Sequence, residues 1–89
     1  MRAVITVAGK DRVGIIAEVT QALAHQNVNV LDISQTILDG KFTMVMAVDA
    51  ANANVGFEEL AAQLRELGEG MELSIRIQRE EIFDAMHRI

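Results

Sequence analysis

The 89-residue chain is 51% hydrophobic, carries a net charge of −5 at pH 7 and contains no cysteine. A chain of this length and hydrophobicity folds as one small domain, which buries only about 60% of its unfolded surface and gains stability from oligomerisation. The negative charge disfavours a nucleic-acid binder, and the lack of cysteine excludes disulfides, thiol catalysis and zinc–thiolate sites. Without a signal segment or an apolar run of membrane-spanning length, the chain is expected to be cytoplasmic and to have no membrane partner.

The first predicted elements are a strand at 2–8 and a helix at 14–26, joined by a loop with Gly9 and Gly14 at its ends. Glycines let the backbone turn sharply and leave room for a ligand. The first N–H groups of a helix have no backbone partner, so they can bind a carboxylate or a similar anion. Asp11 is the predicted N-cap of this helix. The same pattern is also typical of a tight, capped turn without a ligand, and both interpretations stay open on these residues.

The middle of the chain predicts a β-hairpin. The first helix is expected to stop at Asn27, which tolerates the left-handed conformation, and a strand at 29–38 follows. Asp39-Gly40 between two alternating runs predicts a tight turn into a third strand at 41–49. Gln35 falls on the apolar side of its strand, which indicates a bulge or a partner at that point. The residues expected to face the core are Ile16, Val19, Thr20 and Leu23 of the helix, Leu31, Ile33 and Ile37 of the second strand, and Phe42, Met44, Met46 and Val48 of the third.

The second half of the chain repeats the order of the first. A helix at 55–67 is expected to begin after an Asn54 cap and to end at Gly68 or Gly70, before a fourth strand at 71–78. The resulting order β-α-β-β-α-β predicts an α+β, ferredoxin-like fold. In this fold four antiparallel strands lie in the order 4-1-3-2, with both helices on one face of the sheet.

The last segment, 79–89, is predicted to be a short C-terminal helical extension of the same domain. Glu80 and Glu81 at its start and Arg88 near its end suit the helix dipole. A helix of about ten residues is marginal alone in water, so its apolar stripe is expected to be covered by the free face of the sheet or by a partner. The stripe comprises Ile82, Phe83, Met86 and Ile89.

Several short motifs resemble those of one known family. The stretch Lys10–Ile16 resembles the Asp-Arg-Pro-Gly-Ile-Leu loop-to-helix motif of ACT domains, with Val13 where many members have proline. The stretch His25–Val30 resembles the Gly-Val-Asn-Ile segment that opens their second strand, and Asp39-Gly40 falls where they place a hairpin. The resemblance covers residues 1–78. In detail the chain is similar to small stand-alone ACT proteins and to the ACT domains of the glycine-cleavage repressor.

The resemblance implies a non-enzymatic regulatory domain that binds a small ligand, often an amino acid, where the two subunits of a homodimer meet. Dimerisation is expected through the exposed edge of the strand at 29–38, because unpaired edges pair with another chain. No cofactor is expected, and no metal site either, because neither His25 nor His87 has a plausible metal partner at a fixed spacing. Carried over by position, one wall of the implied ligand site comprises Asp11, Arg12, Val13 and Gly14, and the other comprises Asn27, Val28 and Asn29.

Two alternatives stay open. An acylphosphatase-like hydrolase shares this topology, and Arg12, Asn27 and Asn29 are available for its phosphate-binding roles, although the glycine-rich loop of that family is missing. An ACT module that only assembles with partner proteins needs no ligand; Arg12 is then a solvated arginine beside Asp11, and the asparagines are turn formers. An RNA-binding role is disfavoured, because the chain has no Tyr or Trp for base stacking.

Overall fold

The computed structural model describes residues 1–86, which form a four-stranded sheet and three helices. The elements are β1 Arg2–Lys10, α1 Ile15–His25, β2 Asn29–Leu38, β3 Lys41–Asp49, α2 Phe57–Met71, β4 Leu73–Arg79 and α3 Glu80–Met86. The sheet is antiparallel with the strand order β2-β3-β1-β4, which is the order 4-1-3-2 counted from the other edge. The ferredoxin-like prediction is therefore confirmed. Within these residues, no helix is long and apolar enough to cross a membrane.

The core lies between one face of the sheet and the helices α1 and α2. Alternation along β1 and β3 turns every second residue toward these helices, and the apolar residues there are almost completely buried. Ile15, Val19 and Leu23, spaced by four, form the buried line of α1, whereas Ile16 is 38% exposed. The prediction for Ile16 is wrong because the sheet-facing line begins at the first residue of the helix. The other main core residues are Ala3, Ile5, Val7, Phe42, Met44, Met46, Val48, Leu60, Leu64 and Met71.

The β2–β3 hairpin turns at Asp39 and Gly40, as predicted. Both residues have positive φ, 52° and 74°, which is the geometry of a type I′ turn. The bulge in β2 lies at Leu31, which has no partner on β3, and not at Gln35, which pairs with Met44. Because β2 is an edge strand with almost all of its residues exposed, a polar side chain on its helix-facing side costs little.

Neither predicted N-cap residue caps its helix. Asp11 donates its backbone N–H to the carbonyl of Gly40 at 2.8 Å, and α1 begins after Gly14 without a side-chain cap. Asn54 donates its side-chain amide to the carbonyl of His25 at 3.2 Å, and α2 likewise has no side-chain cap. The N-cap positions are Gly14 and Gly56. Asp11 and Asn54 therefore lie three and two residues too early in the chain to be the N-cap residues.

The helix α2 continues past both glycines that were predicted to end it. It stops at Met71, and Glu72 follows with a φ of 58°. Gly68 is buried where α2 crosses β4, and a Cβ at this position would lie 2.7 Å from the carbonyl oxygen of Leu73. A Cβ at Gly70 would meet nothing within 4 Å. Gly68 therefore allows close approach of α2 and β4. Because α2 is longer than predicted, β4 begins at Leu73, two residues later than predicted.

The C-terminal extension forms the helix α3, Glu80–Met86, in contact with β1 and β4. The side-chain amide of Gln78 donates a hydrogen bond to Met86 Sδ at 3.4 Å. Since Gln78 alternates with the inward-facing Ile77, this contact places α3 on the face of the sheet opposite α1 and α2. An ion pair of 3.4 Å between Arg2 and Glu80 joins the start of α3 to β1.

The apolar stripe of α3 is only partly covered. Ile82 and Met86 are 48% and 64% exposed, and no residue of this helix is fully buried. The predicted contributions of Arg88 and Ile89 to this helix lie outside the described residues.

We expect Gly68→Ala to destabilise the protein by about 1–3 kcal/mol, because the added methyl group would overlap the Leu73 carbonyl and press on Ile75. Gly70→Ala is the matched control, since it makes the same change two residues later in the same helix and meets no atom within 4 Å. This control is expected to be neutral or to stabilise by up to about 1 kcal/mol. Urea denaturation followed by circular dichroism measures both, and equal unfolding free energies would contradict the close approach.

Candidate ligand-binding site at the two ends of helix α1

The loop 11–14 between β1 and α1 forms the first predicted wall. A hydrogen bond of 2.8 Å from the Asp11 N–H to the carbonyl of Gly40 ties its start to the β2–β3 turn. Gly14 at its end has a φ of 94°, which glycine adopts without strain. Val13 is 94% exposed, and no side chain caps α1. The N–H groups at the positive end of the α1 dipole are therefore not occupied by a capping side chain.

Arg12 is the cation of this wall. Its Nη2 lies 3.5 Å from Oε2 of Glu18, and the two side chains are 46% and 44% exposed. The Glu18 Oε2 atom has almost no exposed surface and accepts no hydrogen bond from residues 1–86. This ion pair lies beside the start of α1, and it is weak because both side chains are nearly half exposed. The remaining N–H donors of Arg12 are available for a carboxylate, which arginine binds with two parallel hydrogen bonds.

An open pocket of about 290 Å³ lies between this loop, α1 and β2. Its volume is at the small end of the range for ligand sites. The wall includes Gln35, the polar residue that interrupts the apolar side of β2, so this side chain faces the same space as Arg12. The residues that define the pocket include Asp11, Arg12, Gly14, Ile16, Gln35, Ile37 and Phe42.

The residues Asn27, Val28 and Asn29 connect α1 to β2 and form the second predicted wall. Asn27 ends the helix with a φ of 60° and donates its side-chain N–H to the carbonyl of Asn52 at 2.9 Å. Val28 is buried, and its backbone N–H donates to the carbonyl of Leu23 at 2.9 Å. Asn27 and Val28 are thus fixed in position by contacts within the fold. Asn29 is exposed at the first position of β2.

A second open pocket, of about 390 Å³, lies at this end of α1. It includes Asp49, the last residue of β3, which the sequence analysis did not single out. Counting the strand pairs back from the Asp39-Gly40 turn places residue 49 or 50 opposite Asn29. The register of the predicted hairpin could therefore have pointed to Asp49 from the sequence. In the structure Asn29 and Asp49 are direct partners. The lining residues are Ala24, Asn27, Val28, Asn29, Asp49 and Asn52.

The two walls do not meet within one subunit. The helix α1 between them has 11 residues, so they are separated by about 16 Å. The structure brings 11–14 together at one end of α1 and 27–29 together at the other. The same separation disfavours an acylphosphatase-like site, because Arg12 and the asparagines would have to contact one phosphate group.

The side chains at the two walls offer charge and hydrogen bonding to a small polar ligand. The first wall supplies the guanidinium of Arg12 and backbone N–H groups, and the second supplies the amide of Asn29 and the carboxylate of Asp49. Among residues 1–86, no group of three or more His, Asp or Glu side chains is placed to hold a metal ion.

The sequence profile of the ACT domain family matches residues 2–78. The chain belongs to the ACT domain family. The matched region includes both walls of the candidate site and ends at Gln78, one residue before the end of β4. The predicted membership of this family is thereby confirmed, whereas the ligand-binding role of the loop 11–14 and the segment 27–29 stays a prediction.

Relatives of this ACT domain protein match along its full length. A UPF0237 protein of Listeria monocytogenes is 53% identical over 89 residues, which is 100% of both chains. A UPF0237 protein of Bifidobacterium longum is 57% identical over 88 residues, 99% of this chain and 98% of that protein. Among solved structures, an ACT domain protein from Streptococcus pneumoniae is 40% identical with a TM-score of 0.82 and 98% coverage of both chains. A putative glycine cleavage system transcriptional repressor is 26% identical with a TM-score of 0.77, over 86% of this chain and 44% of that one.

We expect Gly14→Ala to destabilise the ACT domain by about 1–2 kcal/mol more than Gly56→Ala, because only the first forces a side chain into the left-handed region. Both glycines precede a helix, but Gly56 has a φ of −71°. The new Cβ would meet only Glu18 Oε2, at 3.9 Å, at position 14 and no atom within 4 Å at position 56. Urea denaturation measures the difference. A difference near zero would show that the loop can leave the left-handed conformation at no cost.

Proposed function

We propose that this ACT domain is a non-enzymatic regulatory module that works as a homodimer and binds an amino acid between its subunits. The observation that carries the proposal is the position of its exposed apolar side chains. Among residues 1–86, six of the nine exposed large apolar side chains lie on the loop 11–14, the start of α1 and the edge strand β2. These six residues, the edge patch, are Val13, Ile16, Leu31, Ile33, Ile37 and Leu38.

The edge patch suits a second copy of the chain. The strand β2 has β3 on one side and no strand on the other, and an unpaired edge with apolar side chains is a template for strand pairing. Antiparallel pairing of two β2 strands about a two-fold axis would continue the sheet from one subunit into the other. Four strands from each subunit would then form one sheet with the helices α1 and α2 of both subunits on the same face.

This pairing would also complete the site. In antiparallel β2 strands, Asn29 of one subunit lies near Leu38 of the other. Leu38 precedes the turn whose Gly40 carbonyl binds the Asp11 N–H, so the loop 11–14 of one subunit would approach the segment 27–29 of the other. The two walls, which are held apart by the length of α1 in one subunit, would face each other across the interface. A two-fold dimer would contain two such sites.

The chemistry of the assembled site suits an amino acid. Arg12 and the free N–H groups at the start of α1 would bind the carboxylate. Asn27 and Asn29 would bind the rest of the ligand through side-chain oxygens, since the Asn27 amide N–H already donates to Asn52. The putative repressor of the glycine cleavage system is a similar chain whose name describes regulation, which supports a regulatory role. Binding of the amino acid would thus control the activity of the protein that this module regulates.

We expect the wild-type protein to be a dimer at micromolar concentration and the double variant Ile33→Lys/Ile37→Lys to be a monomer, because four positive charges would meet at the interface. Both side chains are already about half exposed, so the fold should tolerate the change. Ile82→Lys on α3 is the matched control, since Ile82 is 48% exposed and lies away from β2. Light scattering measures the masses. A monomeric wild type would rule out the dimer, and a dimeric double variant would rule out this edge.

We expect at least one of the twenty standard amino acids to raise the melting temperature by several degrees, because a ligand at 100 times its dissociation constant stabilises by about 2.7 kcal/mol. Arg12→Gln should weaken this binding about tenfold to 100-fold through the loss of a charged hydrogen bond. Arg65→Gln, at an exposed arginine on α2, should leave it unchanged. A dimer that binds no amino acid in this screen would instead support a module that only assembles with partner proteins.

A further inference from the structure

Gln35 interrupts the apolar side of the edge strand β2. Its partner across the hairpin is Met44, which is completely buried in the core. Since paired residues of antiparallel strands point to the same face of the sheet, the Gln35 side chain lies on the face that α1 and α2 cover. Ile33 and Ile37 flank it on this face and are 41% and 53% exposed. A polar, uncharged side chain thus lies in the middle of the edge patch.

The amide of Gln35 has no role in holding the fold together. Among residues 1–86, this side chain neither donates nor accepts a hydrogen bond. A glutamine amide offers two N–H donors and one acceptor oxygen. Gln35 lines the pocket of about 290 Å³ whose wall also includes Arg12 and Gly14. Because the two side chains line one small pocket, Gln35 and Arg12 can contact the same ligand molecule.

We propose that Gln35 binds the side chain of the amino-acid ligand and selects amino acids with a polar side chain over aliphatic ones of similar shape. This assignment rests on the proposed function, because it needs Arg12 to hold the carboxylate of the ligand at the first wall. The side chain of the ligand would then enter the pocket and meet the Gln35 amide. The ammonium group of the ligand would remain for the segment 27–29 of the other subunit.

The environment of Gln35 in the dimer gives the physical reason for this selectivity. A polar residue costs little on the free edge of one subunit, but pairing of two β2 edges would cover the edge patch and leave the amide in contact with water only through the pocket. A ligand that fills the pocket displaces this water. A polar ligand side chain replaces the lost hydrogen bonds, whereas an aliphatic one leaves the amide unpaired. We therefore expect a preference for the polar side chain of at least about tenfold.

The test is isothermal titration of the dimer with two pairs of amino acids of matched shape, asparagine with leucine and threonine with valine. In the wild type, the polar member of at least one pair should bind at least about tenfold more tightly than its aliphatic counterpart. Gln35→Met keeps the length of the side chain and removes the amide, so this ratio should fall to within about twofold. Gln21→Met is the matched control and should keep the wild-type ratio, since Gln21 is an exposed residue of α1 that does not line the pocket.

The outcomes separate this inference from the proposed function. If no amino acid binds the wild type, both the ligand-binding function and this inference are wrong. If an amino acid binds but the wild type prefers the polar member of neither pair, the inference is wrong and the function stands. The same conclusion follows if Gln35→Met weakens both members of a pair equally, because a purely structural defect would leave their ratio unchanged. Light scattering checks that Gln35→Met is still a dimer; if it is not, Gln35→Leu replaces it with the same expected loss of preference.

Discussion

The β2–β3 hairpin is the constraint on which the candidate site depends. A two-residue turn with positive φ at Asp39 and Gly40 sets the register of the two strands, and this register places Asp49 beside Asn29 at the far end. The same turn holds the loop 11–14, because the Gly40 carbonyl accepts the Asp11 N–H. One local conformation thus positions a loop at one end of the sheet and a pair of polar residues at the other.

The length of α1 then decides how the site can form. Eleven residues separate the loop 11–14 from the segment 27–29, and no side chain spans the resulting distance of about 16 Å. A chain with this arrangement either leaves its two walls unused or joins them with a second copy. Pairing of two β2 edges, as proposed, would bury the exposed apolar residues of β2, and this burial would lower the free energy of the dimer and place the walls face to face.

Several polar residues of the site also have structural roles. Asn27 ends α1 in the left-handed conformation and binds the carbonyl of Asn52, and Asp49 binds the N–H of Ala51. Arg12 is paired with Glu18 before any ligand arrives. Such contacts limit the motion of the side chains, so binding would require little further ordering. They also mean that a substitution at these positions can act on stability and on binding at once, which is why matched control variants are needed.

The sequence by itself determined the order of the elements, the turn at Asp39-Gly40, the end of α1 at Asn27 and the family motif around Arg12. These features depend on alternation and on the φ preferences of single residues, which are local properties. Only the tertiary structure decided that Ile15 faces the core in place of Ile16, that α2 continues through Gly68 and that Asn29 pairs with Asp49 instead of residue 50. Each of these depends on contacts between residues far apart in the chain: the sheet that α1 packs against, the backbone of β4 under α2, and the position of the bulge in β2. Periodicity within a short segment contains no information about such contacts. The register of the hairpin limits the partner of Asn29 to residue 49 or 50, and the bulge at Leu31, which identifies Asp49, is seen only in the folded protein.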